Sequence, residues 1–255
     1  MSWRLGSSLV IVAGALGIVA LERRWPYRAG QRLLREGFWS DLLLYGLAQS
    51  FVLGWVIGHI AAALDRATGL HRLGLVTGWP VAAQLAFFIV LHDLYIYGFH
   101  RLQHRVPLLW RIHEAHHSGR DVDWLSGARS HALEILVNQT IEFAPMMLLG
   151  AHPGVIAMKL ALDAVWGMYI HSNVDARRTR LSYLFNGPEL HRWHHATDVV
   201  DVNFATKLAL WDWLFGTAYL PPGEKPRSYG LIGAAHFPRG YFRQQAFALR
   251  RWHRL

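Results

Sequence analysis

Eight of the sixteen histidines fall into three short groups: His100-Arg-Leu-Gln-His104, His113-Glu-Ala-His116-His117 and His191-Arg-Trp-His194-His195. On a helix, residues three and four apart lie on one face, so each group can turn two or three imidazoles toward a common centre. This is metal-ligand spacing, comparable in logic to the paired histidines of a zinc-protease helix. A catalytic zinc takes three protein ligands and keeps one position open, so eight clustered histidines exceed the needs of one ion. Two ions sharing the set is the economical reading. His171 is the candidate ninth ligand, because it ends an apolar helix on the face that also carries Asp163 and Gly167. The alternative for His171 is an interfacial histidine that merely titrates. Imidazole suits zinc, copper, iron and nickel alike. A histidine set without thiolate, among aromatics and at a membrane surface, points to redox iron handling oxygen and a lipid.

The elements that must hold these groups show in the apolar runs. Leu5–Leu21 gives seventeen residues without a charge, Leu42–Leu64 twenty-three, and Leu73–Leu91 nineteen before His92 and Asp93 interrupt. Each can cross a hydrocarbon core about 30 Å thick. The first run has one Arg before it, no clear small-residue cleavage site and an Arg-rich stretch behind it, so it reads as a retained anchor. Ala132–Ala151 and Pro153–Ile170 read as a hairpin turning at Gly150–Gly154. Inside that hairpin, Glu142 and Lys159 are expected to meet, with Lys159 and Asp163 as i,i+4 neighbours. A shallow, re-entrant hairpin is the other possibility. The loop Glu22–Gly37 holds five Arg and the loop Asp65–Pro80 two, which puts the first loop in the cytoplasm and the N-terminus outside. All histidine groups then collect on the cytoplasmic face, in the cell membrane. The expected fold is an all-α integral membrane protein with about four to five transmembrane or membrane-embedded helices under a cytoplasmic helical cap. Its expected parts are anchor helices over 1–80, a catalytic domain over 81–220, and a basic, aromatic C-terminal tail over 221–255 that touches lipid or forms an ordinary surface helix.

Composition narrows the chemistry further. Cysteine is absent, which excludes a disulfide scaffold, thiolate zinc and iron–sulfur sites, and a cysteine nucleophile. Hydrophobic residues make up 53% of the chain and charged ones 17%, against about a quarter in an ordinary soluble domain. The net charge is +9, carried by 23 Arg and only 3 Lys in short clusters between apolar runs. That pattern suits loops facing anionic lipid and not a nucleic-acid groove.

The segments His92–His104, Arg111–Ser118, His171–Val174, Pro188–His195 and Asn203–Thr217, in this order and at these separations, resemble the membrane-bound fatty acid hydroxylase and sterol desaturase superfamily of non-haem diiron enzymes. The resemblance runs from about Phe87 to Leu220. It implies iron ligands at His100, His104, His113, His116, His117, His171, His191, His194 and His195. The sequence departs from the family at Tyr97-Gly98, at Gly167, where some members carry another His, and at Asn203-Phe204-Ala205. Gly167 leaves room for water or a carboxylate at one iron. Residues expected to stand behind the ligands are Asp93, Asp163, Asn203, Trp211 and Asp212; Asp93 could orient an imidazole or serve as a structural cap. His131 is expected to pair structurally with Glu134, and His59, His71, His236 and His253 to have no part in the site.

What the resemblance implies is an enzyme in which two ferrous ions and O2 oxidise an unactivated C–H bond of a lipid, giving an alcohol or an alkene. The lipid could be a sterol or hopanoid, an acyl lipid, a carotenoid or an alkylglycerol ether. With no Gly-rich dinucleotide fingerprint and no cysteine, electrons are expected from a separate ferredoxin- or cytochrome-type donor at the Arg-rich face. A zinc-dependent membrane hydrolase, with Glu114 or Glu189 as base, is the competing reading of the same imidazoles.

Overall fold

Uncharged Leu, Val and Ala over the first twenty residues wind into α1 (Trp3–Arg24), closed by Arg23 and Arg24 where cations favour the carbonyl end of a helix. The computed structural model describes residues 3–233 and 236–250. A π-helical stretch, Ser40–Gln49, runs without a break into α2 (Ser50–Thr68), which Gly69 stops in the left-handed conformation. Then follow α3 (Val81–Arg105), α4 (Pro107–His117), α5 (Ala132–Leu148), α6 (Pro153–Ile170), α7 (Pro188–His194), α8 (Leu210–Leu214) and α9 (Tyr241–Ala248). Among the described residues there is no strand, only the isolated bridges Pro26–Val174 and Ala196–Tyr229.

Among the described residues, four helical segments are long and apolar enough to cross a membrane: Leu5–Arg24, Ser40–Thr68, Val81–Arg105 and Pro153–Ile170. Their outer faces expose Leu9, Leu16, Leu47, Phe51 and Trp55, as a lipid-facing surface does. The third run starts later than Leu73, because Gly74, Gly78 and Pro80 interrupt it and Pro80 caps the helix at Val81. It also continues past His92 and Asp93, since Asp93 is fully buried within the bundle. At seventeen residues, about 25 Å long, α5 is short of a full crossing. It packs along α2 while α6 packs along α1. The hairpin turn between α5 and α6 needs Gly150, whose φ is +77° and where a Cβ would stand 2.7 Å from Thr77 Oγ1.

Charges inside this bundle are paired. Lys159, fully buried, donates to Glu142 at 2.5 Å, to Asp163 at 2.6 Å and to His92 Nδ1 at 3.1 Å. Lys207, from the loop after α7, reaches Asp163 at 2.8 Å. The Glu142–Lys159 and Lys159–Asp163 pairings follow the expectation. Through Lys207, Asp163 also ties α6 to the loop, so its carboxylate is spent on lysines and not on an imidazole.

The C-terminal segment forms a short helix, α9, and hydrogen-bonds to the π-helical stretch and to α4. Tyr45 Oη donates to Gln244 at 2.6 Å, Tyr241 Oη to Gln49 at 2.8 Å, and Arg250 to both oxygens of Glu114 at 2.8 and 2.9 Å. Residues 251–255, including His253, lie outside the described residues.

Candidate metal centre

Each histidine group sits where its helix is forced to stop or start. Pro107 holds Val106 extended (φ −103°, ψ 112°), so α3 ends just after His104 and α4 turns back to bring His113 beside His100. Pro188 at the first turn opens α7, with Glu189 beside the exposed amides, and presents His191, His194 and the C-cap His195. His171 is the C-cap of α6. The nine imidazoles converge as two groups, one of His100, His104, His113, His117 and His194, the other of His116, His171, His191 and His195. Within each group the potential ligand atoms lie within 4.8 Å of one another. The groups adjoin, with the His117 and His195 rings 4.6 Å apart.

Hydrogen bonds on the far side of the rings fix which nitrogen faces inward. His100 Nδ1 donates to Phe204 O at 2.8 Å, His113 Nδ1 to Glu134 Oε1 at 2.8 Å and His116 Nδ1 to Arg129 O at 3.2 Å. His171 Nδ1 donates to Gly167 O at 2.7 Å and His194 Nδ1 to Val202 O at 2.9 Å. A neutral imidazole that donates through Nδ1 carries a lone pair on Nε2. Those lone pairs face each other: the Nε2 atoms are 3.0 Å apart in His100 and His113, and 3.2 Å apart in His171 and His116. Without a cation between them the pairs repel. With metal–nitrogen bonds of about 2.0–2.1 Å, ligands at right angles on one ion stand about 3 Å apart. The Nε2 atoms of His104, His117 and His194 are buried with no hydrogen-bond partner. The donor set therefore fits metal ions. Burial first, and neighbouring imidazoles second, hold His113, His117, His191, His194 and His195 well below the usual histidine range; burial pushes His171 down to about 4. All stay neutral near pH 7, the form that ligates metal.

The loop behind His100 accounts for most of the supporting residues. Asp212 accepts from Phe204 N, Ala205 N and Thr217 Oγ1, which sets the Phe204 carbonyl against His100. Asp93 accepts from Thr206 Oγ1, Lys207 N, Leu208 N and Trp211 Nε1. Asp93 is therefore a cap on this loop, the structural alternative of the two, and Trp211 is one of its donors. Asn203, at φ +54°, clasps Leu190 O and Tyr219 through its side chain.

Glu134 differs from expectation. It orients His113, while His131 caps α5 and bonds Gln245 O. A carboxylate behind a metal-bound imidazole raises its basicity and fixes its tautomer. Glu134→Ala is expected to lower metal retention or turnover about 100-fold, and Glu134→Gln, which keeps an acceptor, about tenfold. Metal retained against a graded chelator series, read beside turnover, checks the order.

A cavity of about 430 Å³ opens onto the five-histidine group through His104, His117 and His194. Trp110, Phe237 and Phe247 line it, with the Glu114–Arg250 pair and His236. His236 thus stands closer to the site than its isolated position in the sequence suggests.

Comparisons with known proteins agree with this geometry. The chain is 29% identical to an ornithine lipid hydroxylase, OlsE, of Rhizobium tropici over 249 residues, 94% of this chain and 72% of that protein. It is 33% identical to human alkylglycerol monooxygenase over 127 residues, 49% of this chain but 28% of that one. A very-long-chain aldehyde decarbonylase of rice, GL1-8, is 29% identical over 153 residues, 58% of this chain and 57% of that one. No solved structure matches. The family model for fatty acid hydroxylases matches residues 85–217, over half of the chain and every one of the nine converging histidines, so the chain belongs to the fatty acid hydroxylase family.

Proposed function

We propose that this protein is a membrane-bound diiron oxygenase that hydroxylates or desaturates an unactivated C–H bond of a lipid, with O2 as co-substrate. The observation that carries the reading is the pair of adjoining all-histidine groups, one of which holds three buried Nε2 atoms with no hydrogen-bond partner. Two irons, when bound, supply the one-electron and oxygen chemistry that side chains lack. The ligands are His100, His104, His113, His117 and His194 for one ion, and His116, His171, His191 and His195 for the other. The chain's own work is to hold these imidazoles neutral, to orient them through Phe204 O, Glu134, Arg129 O, Gly167 O and Val202 O, and to wall the reaction off from water. The lipid reaches the five-histidine group through the cavity, whose Trp110 and Phe247 suit an alkyl chain. Relatives named for ornithine lipid and alkylglycerol support an amphiphilic lipid substrate. A separate ferredoxin- or cytochrome-type protein supplies the electrons at the basic surface of the cap.

The test is anaerobic iron loading, then O2 and reductant with lipid extract. About two irons per chain and a product heavier by one oxygen, or lighter by two hydrogens, are expected. One zinc per chain and hydrolysed lipid would support a metallohydrolase instead.

The same reading has the N-terminus outside and the histidine cap in the cytoplasm, from the excess of Arg in the first loop. The absence of native cysteine makes this directly measurable. A cysteine introduced at the exposed Arg120 is expected to resist an impermeant thiol reagent in whole cells and to react after lysis. Reaction in intact cells would reverse the topology.

A further inference from the structure

The cap carries an apolar face that no element among the described residues covers. Leu181 and Leu214 are each 64% exposed and Phe215 47%, and Leu184, Phe185 and Leu210 are exposed beside them. These residues lie in or directly after two short elements packed together, the 3-10 turn Arg180–Tyr183 and α8. Trp213 Nε1 donates to Ser182 O at 3.0 Å, and the Tyr183 and Trp213 rings lie 4.6 Å apart. The patch is continuous with the membrane-spanning surface at two points. Phe215 stacks on Tyr97 of α3 at 5.2 Å, and Phe185 lies 6.0 Å from Trp166 of α6. Tyr97 stands sixteen residues, about 24 Å, beyond Val81 at the start of α3, close to the full depth of a hydrocarbon core. Trp166 stands four residues, about 6 Å, before the end of α6. Both contacts therefore lie where a spanning helix leaves the hydrocarbon, the level at which Trp and Tyr gather. Arg177, Arg178 and Arg180 are exposed on the same edge, and Arg178 lies over the Tyr183 ring.

We propose that this face, the Arg180–Tyr183 turn with α8, is seated in the anionic headgroup layer of the bilayer. Its Leu and Phe side chains dip into the acyl boundary, and Arg177 and Arg180 meet lipid phosphates. Six exposed apolar side chains on two short elements and the residues that follow them are costly in water and favourable at that depth. Guanidinium groups at an anionic surface add electrostatic attraction. The seat also ties α8, and through Asp212 the Phe204 carbonyl behind His100, to the bilayer surface.

The test is electron paramagnetic resonance on single nitroxide labels at Leu181→Cys, Leu214→Cys and, as a water-exposed control, Glu224→Cys. The proteins are held in nanodiscs of phosphatidylcholine with or without phosphatidylglycerol. Labels at 181 and 214 are expected to collide severalfold more with O2 than with a water-soluble nickel chelate, and the control to show the reverse. Adding phosphatidylglycerol is expected to deepen both labels, and Arg177→Gln with Arg180→Gln to remove that deepening. Nickel-accessible labels would overturn the proposal. So would protection that appears only when an acidic electron-donor protein is added, spin–spin broadening from a second copy of the chain, or depth indifferent to lipid charge and to the arginines. The readout needs neither iron nor turnover, so it stands apart from the oxygenase assignment.

Discussion

Alanine at His117 or His194 is expected to abolish turnover and to lower bound iron from about two per chain, the largest single-residue effect in the molecule. Both imidazoles are buried in the five-histidine group, and each has an Nε2 that meets no hydrogen-bond partner. Neither nitrogen has another occupation in the fold, so the group's loss falls on the metal. His104 is in the same position and should behave alike. Open coordination alters both affinity and geometry, so activity should drop by orders of magnitude even where some iron remains. The contrast is with histidines occupied elsewhere. His59 Nδ1 bonds Trp55 O on its own helix, and His71 pairs with Asp65 at 2.7 Å, both far from the cluster in the chain. His59→Ala and His71→Ala should keep iron and turnover near normal. Metal analysis by mass spectrometry beside O2 consumption decides it; essential His59 with dispensable His117 would sink the ligand assignment. His236 is unsuited as a neutral control, because it lines the cavity above the site.

The sequence disclosed the site more fully than its supports, and the reason is physical. Ligand spacing such as His191, His194 and His195 is local: it depends only on helical periodicity, so convergence of each group can be read from one stretch of chain. Supports are nonlocal. Glu134 is 21 residues from His113, and its neighbour His131 offered a nearer but mistaken partner. Asp163 shares a helix face with His171, but Lys207, 44 residues on, draws it into an ion network instead. The apolar run from Leu73 read as one span because hydropathy does not register that Gly74, Gly78 and Pro80 break the helix; Pro80 shows in the sequence as a letter and in the fold as a cap. The basic aromatic C-terminus read either as a lipid-touching tail or as an ordinary surface helix; what neither reading foresaw is that Gln244, Gln245 and Arg250 spend their polar groups on the cap. Polar side chains facing partners more than a hundred residues away leave no periodic signal.

His171→Gln is expected to leave the protein folded and inserted and still to cost activity by orders of magnitude. The position is the one furthest in sequence from its neighbours in the site: 54 residues and the whole α5–α6 hairpin separate it from His117, and twenty residues separate it from His191. The fold returns it nonetheless. His171 Nε2 lies 2.9 Å from His191 Nε2 and 3.2 Å from His116 Nε2, while Nδ1 donates back to Gly167 O. Space is made by Gly127, where a Cβ would stand 2.5 Å from the His171 ring. Only a ring in this spot needs a glycine opposite it, which argues for position and not for a loose surface side chain. Glutamine changes one tip at a helix end, so circular dichroism and membrane insertion should match the parent. Its amide cannot reproduce the imidazole lone pair, so the four-histidine group loses a ligand. A support of another ligand would cost only about 10–100-fold. A titrating surface histidine would cost almost nothing. Near-normal turnover and two irons in His171→Gln would remove this residue from the centre and leave eight histidines to hold the metal.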